Sequence, residues 1–309
     1  MEYLFHQNMR VFGGGSFPRN LAYNVALGAV AAAVPAGSRV AVAGFTEVVN
    51  NGAAAATLGG AGGGFNLCGQ LGTTLLGLVS CGRTALARGP EFVGIGVAPG
   101  VTVHEVGRIL LNSYGPRIAL IHQVAPLPAP FVMPFGVWAP PAPFLFWSAT
   151  LPWNATYDYR GLVYVVVTLN GVRVAVGFLH NLYRFDAQRA LVMNQLAPMA
   201  VRLLNSPAAP AHVYIGGDFN VRPVDRGGPR TVPLDFYAAA AVFVPLGATP
   251  GGTTWSGSLY DYWYSDVRRF GPPPPGLITP VPFVNTATLR MAGIVKLSDH
   301  AAILLMMAP

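Results

Sequence analysis

Charge is scarce in this chain. Asp, Glu, Lys and Arg make up only 10% of its 309 residues, and Lys296 is the single lysine. The formal net charge of +7 therefore rests on arginine. Arginine forks match phosphate oxygens in two-point contacts, and a basic balance favours polyanionic partners such as nucleic acid or anionic lipid. A GC-rich genome that encodes Arg, Ala, Gly and Pro freely accounts for the same bias equally well. Cysteine is nearly absent too. Cys68 and Cys81 are the only two, and no zinc-ligand spacing surrounds them. Two free or buried thiols are expected, with a single bridge as the other arrangement. No secretory signal is visible in these residues, since a charge-carrying, strand-like segment starts almost at Met1; a chain trimmed of its leader would read the same way. The expectation is a cytoplasmic protein, or one exported without a cleaved signal peptide. The stretch from Ile118 to Tyr157 contains no Asp, Glu, Lys or Arg. Its eight prolines, from Pro126 to Pro152, argue against a membrane-spanning helix, because each removes a backbone donor.

What is abundant is apolar: 52% of the residues are hydrophobic, enough for a sizeable core. The counts of 37 glycines and 28 prolines point to many turns rather than a helical bundle. There is no internal repeat and no convincing linker, so residues 1–309 are read as one domain. Strands are expected at 3–12, 39–46, 73–86, 93–97, 161–169, 172–179, 212–216, 260–265 and 293–297, with a last apolar run at 301–307. Asn170-Gly171 between two of these runs is a two-residue hairpin signal. Helices are expected at 20–34, with Asn20 as N-cap, and at 185–204, with Asp186 as N-cap; shorter ones are expected at 104–112 and 235–243. Residues 52–64 read as a Gly/Ala-rich loop leading to or from a helix, 126–153 as a Pro/aromatic segment, and 272–276 as a stiff polyproline-like loop.

Against this apolar background, two polar clusters stand out: Gly217-Asp218-Phe219-Asn220 after the run Val213-Tyr214-Ile215, and Ser298-Asp299-His300 after Gly293 to Leu297. A carboxylate at the end of a buried strand is costly unless a partner, a metal or water compensates it. Residues two apart on a strand face the same side, so Asp218 and Asn220 are expected to face one substrate together. His180 closes the apolar run Val172 to Leu179, and the opening strand–helix–strand order places Asn8 and Glu47 on neighbouring strands. A histidine beside a carboxylate can act as acid, base or charge stabiliser near neutral pH. One or two carboxylates suffice to hold magnesium, which keeps several waters. Taken singly, such residues are more often caps, turns or satisfied core histidines, and His6, His104, His122 and His212 are read that way outright. Taken together they are harder to dismiss. Only twelve acids exist, and Glu47, Asp218, Asp261 and Asp299 all fall in these clusters.

The order of the clusters resembles the deoxyribonuclease-I-like endonuclease/exonuclease/phosphatase superfamily. The resemblance is carried by Asn8 in Gln7-Asn8-Met9-Arg10, Glu47 in Gly44-Phe45-Thr46-Glu47-Val48, and His180 in Phe178-Leu179-His180-Asn181-Leu182. Gly217-Asp218-Phe219-Asn220, Tyr260-Asp261-Tyr262 and Ser298-Asp299-His300 complete it. It implies an α/β fold: a four-layer α/β/β/α sandwich of two packed mixed β-sheets with flanking helices and a site at the sheet edges. It further implies Glu47 as a metal ligand with Asn8 and Asp299 beside it, the ion being Mg2+ or Mn2+. Asp218 would orient or deprotonate the attacking water, and Asn220 would hold the phosphate. His180 and His300 would stabilise the pentacovalent phosphorane and aid the leaving group, with Asp261 orienting His300. Arg160 matches a position where a phosphate-contacting basic residue is common. The chain departs from the pattern at Gln7, where an aromatic residue is usual, and in long insertions near 48–72 and 118–157.

The expected activity is metal-dependent phosphodiester hydrolysis with DNA as substrate, engaged by arginines such as Arg184, Arg222, Arg226, Arg268 and Arg269. A phospholipid or small-molecule phosphoesterase is the rival, motivated by Trp138, Trp147 and Trp153, since Trp favours membrane interfaces. Membrane contact is expected less than a buried arm or an oligomer contact for that segment. A fold-retaining binding module or toxin-complex subunit is the third reading, with a protein partner or self-association through the Pro/aromatic segment.

Overall fold

Runs of alternating apolar residues build two β-sheets that face each other. The computed structural model describes residues 1–13, 16–49, 51–60, 64–82, 91–114, 117–125, 130–134, 146–147, 159–182, 186–222, 235–237, 260–266, 298, 300 and 302–307. The first sheet contains β1 (Glu2–Phe12), β2 (Arg39–Val48), β3 (Thr74–Gly82), β4 (Glu91–Val97), β8 (Phe146–Trp147) and β14 (Ile303–Met307), in the order β14-β1-β2-β4-β3-β8. The second contains β5 (Thr102–Tyr114), β6 (Arg117–Val124), β7 (Phe131–Val132), β9 (Tyr159–Leu169), β10 (Val172–His180), β11 (His212–Asp218), β12 (Asp235–Tyr237) and β13 (Asp261–Ser265). Its order is β12-β13-β11-β10-β9-β5-β6, with β7 pairing β5. Both sheets are mixed: β1 runs parallel to β2 and β10 parallel to β11, whereas β13 lies antiparallel to β11.

Strand alternation divides the core. Leu4, Val42, Ile95, Val163, Phe178, Ile215 and Trp263 belong to the core that contains the space between the sheets. The residues next door, Phe5 and Ala43, turn the other way with Phe45 and meet the helices α1 (Phe17–Ala33), α2 (Asn51–Gly59) and α3 (Leu67–Gln70) through Tyr23, Leu58 and Leu67. On the far side, α4 (Asp186–Asn194) and α5 (Leu196–Leu204) cover the second sheet with Val192, Leu196, Met199 and Leu203. The layering is α/β/β/α, the expected four-layer sandwich. Among the described residues no helix is long and apolar enough to cross a membrane. Cys68 and Cys81 are buried free thiols.

Several local expectations are corrected. Residues 104–112 are not a helix but part of β5, paired with β9 on one side and β6 on the other. Register shifts at Val103/Glu105 and Ile109/Leu111 break the two-residue alternation, so the strand pattern is masked in the sequence. The 185–204 helix is two, breaking at Gln195. Pro198 lacks an N–H, and its ring would clash with the carbonyl of Asn194, where α4 ends. Asn20 lies buried inside α1, which starts at Phe17 behind Ser16 because Pro18 is tolerated in a first helical turn. The alanine run in 52–64 forms α2 instead of a loop. Asp235–Tyr237 is a strand pairing β13, not a helix. The hairpin at Asn170-Gly171 is present, with φ of +47° and +77°. The expected strand at 293–297, the polyproline-like loop, most of the 118–157 insertion, and Arg184, Arg226, Arg268 and Arg269 lie outside the described residues.

Close approach of the sheets near one end depends on Gly44. A Cβ there would sit 2.2 Å from the Phe178 ring. That ring is already stacked beside His6 and edge-on to Trp263, with centroids 6.4 and 6.0 Å away. The ring has nowhere to move, so Gly44→Ala is expected to cost about 1–3 kcal/mol through overpacking. The check is a urea unfolding curve, in which the midpoint falls with little change in slope.

Candidate active site

All the polar residues come from the same end of the strands. Asn8 and Glu47 lie near the C-terminal ends of β1 and β2, and His180 and Asp218 end β10 and β11. Glu91 and Asp261 begin the oppositely running β4 and β13. His180 pairs with Asp218, and Asp218 with Asp261, so three strands place these side chains in one cross-strand row. Gly217 makes this register possible: a Cβ on it would lie 1.9 Å from the Leu179 carbonyl oxygen.

Asp218 is 1% exposed and is the centre of the arrangement. Its Oδ2 accepts from Asn8 Nδ2 at 2.9 Å and from Asn220 Nδ2 at 3.2 Å. Two imidazole Nε2 atoms, of His180 and His300, stand 3.5 Å from the same oxygen. Its Oδ1 accepts from the Asn220 backbone N–H at 2.9 Å. Asn220 reaches it not by strand alternation, as expected, but through a left-handed turn with φ of +51°, a conformation Asn tolerates. Asn220 Nδ2 also donates to the Asn181 carbonyl at 2.9 Å.

Each imidazole is held from behind by a carboxylate. Asp261 Oδ2 lies 2.7 Å from His300 Nδ1, and Glu91 Oε1 lies 2.5 Å from His180 Nδ1. A carboxylate on Nδ1–H fixes the ring so that Nε2 faces the site. Glu91 Oε2 also binds Arg160 Nη2 at 2.8 Å, and Arg160 Nη1 lies 3.0 Å from His180 Nδ1. Burial and the Arg160 guanidinium press His180 toward neutrality, but Glu91 and Glu47 outweigh them and hold its pKa above the usual range. Burial would raise the Glu91 carboxyl, but His180 and Arg160 overcome it and hold it low.

Glu47 is the more open acid, 22% exposed, with Oε1 3.3 Å from His180 Nε2 and Oε2 accepting the Val11 N–H at 3.0 Å. Its φ of +57° is left-handed, a strained conformation for a residue with a Cβ and one that recurs at functional sites. Burial raises its pKa; Glu91 and Asp218 add to the rise, against His180 and Arg160. A divalent cation would relieve that crowding of acids. Glu47 and the amide oxygen of Asn8 are oxygen donors, the type that suits Mg2+ or Mn2+. Asp218, Asp261 and His300 also form a group whose donor atoms lie within 4.8 Å of one another. There, however, His300 Nδ1 is committed to Asp261, which favours an imidazole–carboxylate pair over a ligand set.

The fold thus brings together Asn8, Glu47, Arg160, His180, Asp218, Asn220, Asp261 and His300. Asp299 lies outside the described residues, between Ser298, whose hydroxyl donates to the Asn8 carbonyl at 2.8 Å, and His300. Gln7, set where an aromatic residue is usual, donates to the carbonyls of Asn8 and His300 at 2.8 and 3.2 Å and ties those segments together. Sequence reasoning missed Glu91. The available signal was its place in the alternation Glu91, Val93, Ile95, Val97, whose apolar members face the inter-sheet core. His6, dismissed as a core histidine, is fully buried beside the site, with Nε2 3.0 Å from Thr46 Oγ1 and Nδ1 3.9 Å from Asp261 Oδ1. Burial and the neighbouring His300 and His180 push its pKa well down.

The chain has the deoxyribonuclease-I-like fold, as the order of its polar clusters implied. It resembles the human Nocturnin catalytic domain with bound sulfate at 10% identity, with 98% of this chain and 92% of that one covered and a TM-score of 0.54. A functionally unknown conserved protein from Enterococcus faecalis is similar at 14% identity, 99% coverage of both chains and a TM-score of 0.51. A mannosyl-6-phosphatase of Bacteroides thetaiotaomicron gives 13%, 98% of both chains and 0.50. No family model and no curated protein matches the sequence.

The Glu91–His180 pair is directly testable. The raised His180 contributes stability that is complete below about pH 6.5, its unfolded value, and fades as pH rises through its folded pKa. The depressed Glu91 contributes stability present above its unfolded value and lost as pH falls through its folded pKa. In Glu91→Gln, burial and Arg160 lose their main opponent. NMR titration of the imidazole signals is expected to show His180 charging at distinctly lower pH than in the parent chain.

Proposed function

We propose that this chain is a phosphodiesterase dependent on Mg2+ or Mn2+, acting on DNA with little sequence specificity. One observation carries the reading: two carboxylate-backed imidazoles aim their Nε2 atoms, each 3.5 Å away, at the same oxygen of a buried aspartate. Hydrolysis of a phosphodiester needs an activated in-line water, neutralised non-bridging oxygens and a stabilised leaving oxygen. Asp218 takes the proton of the attacking water as its oxygen bonds to phosphorus. Asn8 and Asn220 hold that carboxylate in place; both Asn220 Nδ2 hydrogens are engaged, by Asp218 and by the Asn181 carbonyl, so Asn220 holds the phosphate only by exchanging one of them. His180, its pKa raised by Glu91 and Glu47 against burial and Arg160, stabilises the charge that gathers on the phosphorane. An imidazolium, His300 backed by Asp261 or His180 backed by Glu91, passes its proton to the leaving oxygen as the ester bond breaks. Arg160 adds fixed positive charge beside His180. Glu47, Asn8 and Asp299 would hold the cation, which supplies charge neutralisation at a phosphate oxygen. The likeness in fold to a phosphatase and to a domain with bound sulfate supports a site for a tetrahedral anion.

DNA is favoured by the net charge of +7 and its arginine character. A lipid phosphoesterase is the second reading, favoured by the outward face of α1. Phe17, Leu21 and Val25 are 70, 39 and 47% exposed, and Val11 at the site's rim is 60% exposed. Flotation with anionic and neutral liposomes separates the two, since a DNA-cleaving enzyme is expected to stay with the soluble fraction.

The test is a panel with Mg2+: supercoiled plasmid, RNA, sphingomyelin, phosphoinositides and a chromogenic diester. Plasmid nicking that weakens as salt rises is the expected result. Asp218→Ala and His300→Ala are expected to lose ~10²-fold or more in turnover with unchanged circular dichroism. Full activity in both variants would remove the mechanism.

A further inference from the structure

The two oxygen donors of β1 and β2 are held by a single strained feature. Between the pairs Asn8/Thr46 and Phe12/Val48, β1 spends three residues, Met9, Arg10 and Val11, against the single Glu47 of β2. Arg10 and Val11 both take left-handed φ values, +47° and +54°. For a β-branched valine this is a genuine outlier, and it persists only where the surroundings over-determine it. The freed backbone donors are put to use: Arg10 N–H donates to Asn8 Oδ1 at 2.8 Å, and Val11 N–H to Glu47 Oε2 at 3.0 Å.

The carbonyl side of the same bulge is gripped from α1. Arg19 Nη2 donates to the Met9 carbonyl at 2.8 Å and to the Arg10 carbonyl at 2.5 Å. The Tyr23 hydroxyl donates to the Met9 carbonyl at 2.8 Å. The guanidinium carbon lies 6.0 Å from the Phe12 ring centre and 5.7 Å from that of Tyr23, and those rings meet edge-to-face. Arg19 touches neither Asn8 nor Glu47, yet it fixes the peptide groups whose other ends hold both.

We propose that Arg19, with Tyr23, is a positioning residue for the cation: it locks the β1 bulge so that Asn8 and Glu47 present their oxygens already oriented. This rests on the metal reading of the proposed function. Residues that orient ligands typically change metal affinity by 10–100-fold when removed. A lysine at this position offers a point charge without the planar fork, so it should replace the arginine only in part.

The experiment measures Mn2+ binding to the full chain without substrate, by electron paramagnetic resonance and calorimetry, in wild type, Arg19→Met, Arg19→Lys and Tyr23→Phe. Wild type is expected to bind, Arg19→Met to bind at least tenfold more weakly, and Arg19→Lys and Tyr23→Phe to fall between. Hydrolysis by Arg19→Met is expected to need correspondingly more Mn2+ and to recover as the metal saturates. Wild-type affinity in folded Arg19→Met and Tyr23→Phe would overturn the positioning role and leave the proposed function standing. No Mn2+ or Mg2+ binding by wild type would overturn both. If Arg19→Met does not fold, Tyr23→Phe decides by the same measure.

Discussion

A carboxylate buried at the end of a central strand organises the polar end of this structure. Asp218 sits 1% exposed opposite a second buried acid, Asp261, in the next strand. Like charges placed across a strand pair repel, and burying either without partners is costly. The compensation arrives from distant parts of the chain: an amide from β1, an amide from the turn after β11, and imidazoles from β10 and from the segment before β14. None of these groups is near Asp218 in sequence except Asn220. The sandwich is therefore what makes the charge tolerable, and the charge is what the sandwich end is built around.

The same economy appears in the two imidazole–carboxylate pairs. Glu91 and Asp261 each take one Nδ1, and this leaves both Nε2 atoms converging on one oxygen. Small residues allow the approach. Gly44 admits the Phe178 ring between the sheets, and Gly217 admits the neighbouring strand's carbonyl. Strain is concentrated at the mouth, where Glu47, Arg10, Val11 and Asn220 all hold left-handed backbone. The well-ordered alternation below supplies the rigidity that keeps such conformations in place.

Much of the fold was legible because long apolar runs with two-residue alternation resist other readings. β1, β2, β9, β10 and the Asn170-Gly171 hairpin follow from pattern and turn chemistry alone. β5 did not, because its register shifts erase the period that identifies a strand. The helix break at Gln195 needed Pro198 to be weighed against a strong helical period. At the site, Asn8, His180, Asp218, Asn220, Asp261 and His300 were readable as polar residues in places where polarity is expensive. Glu91 was marked only by its place in the alternation Glu91, Val93, Ile95, Val97, and a lone acid at a strand start carries no further sign of its partner. His6, expected as a core histidine, is fully buried and bonded to Thr46; its nearness to Asp261 follows only from which strands lie across from it.

The sequence by itself determined most of the strand runs, the Asn170-Gly171 turn, the packing of two sheets with flanking helices and the short list of polar groups that could carry chemistry. Those are properties of neighbours along the chain, set by alternation, proline, glycine and scarcity of charge. Only the tertiary structure decided which groups meet. Strand order and register bring residues from positions 8 to 300 to one sheet end, pair each imidazole with its carboxylate, and turn the β1 bulge toward Glu47. Electrostatic compensation acts over a few ångströms in space, and no local pattern encodes a distance between residues almost three hundred positions apart.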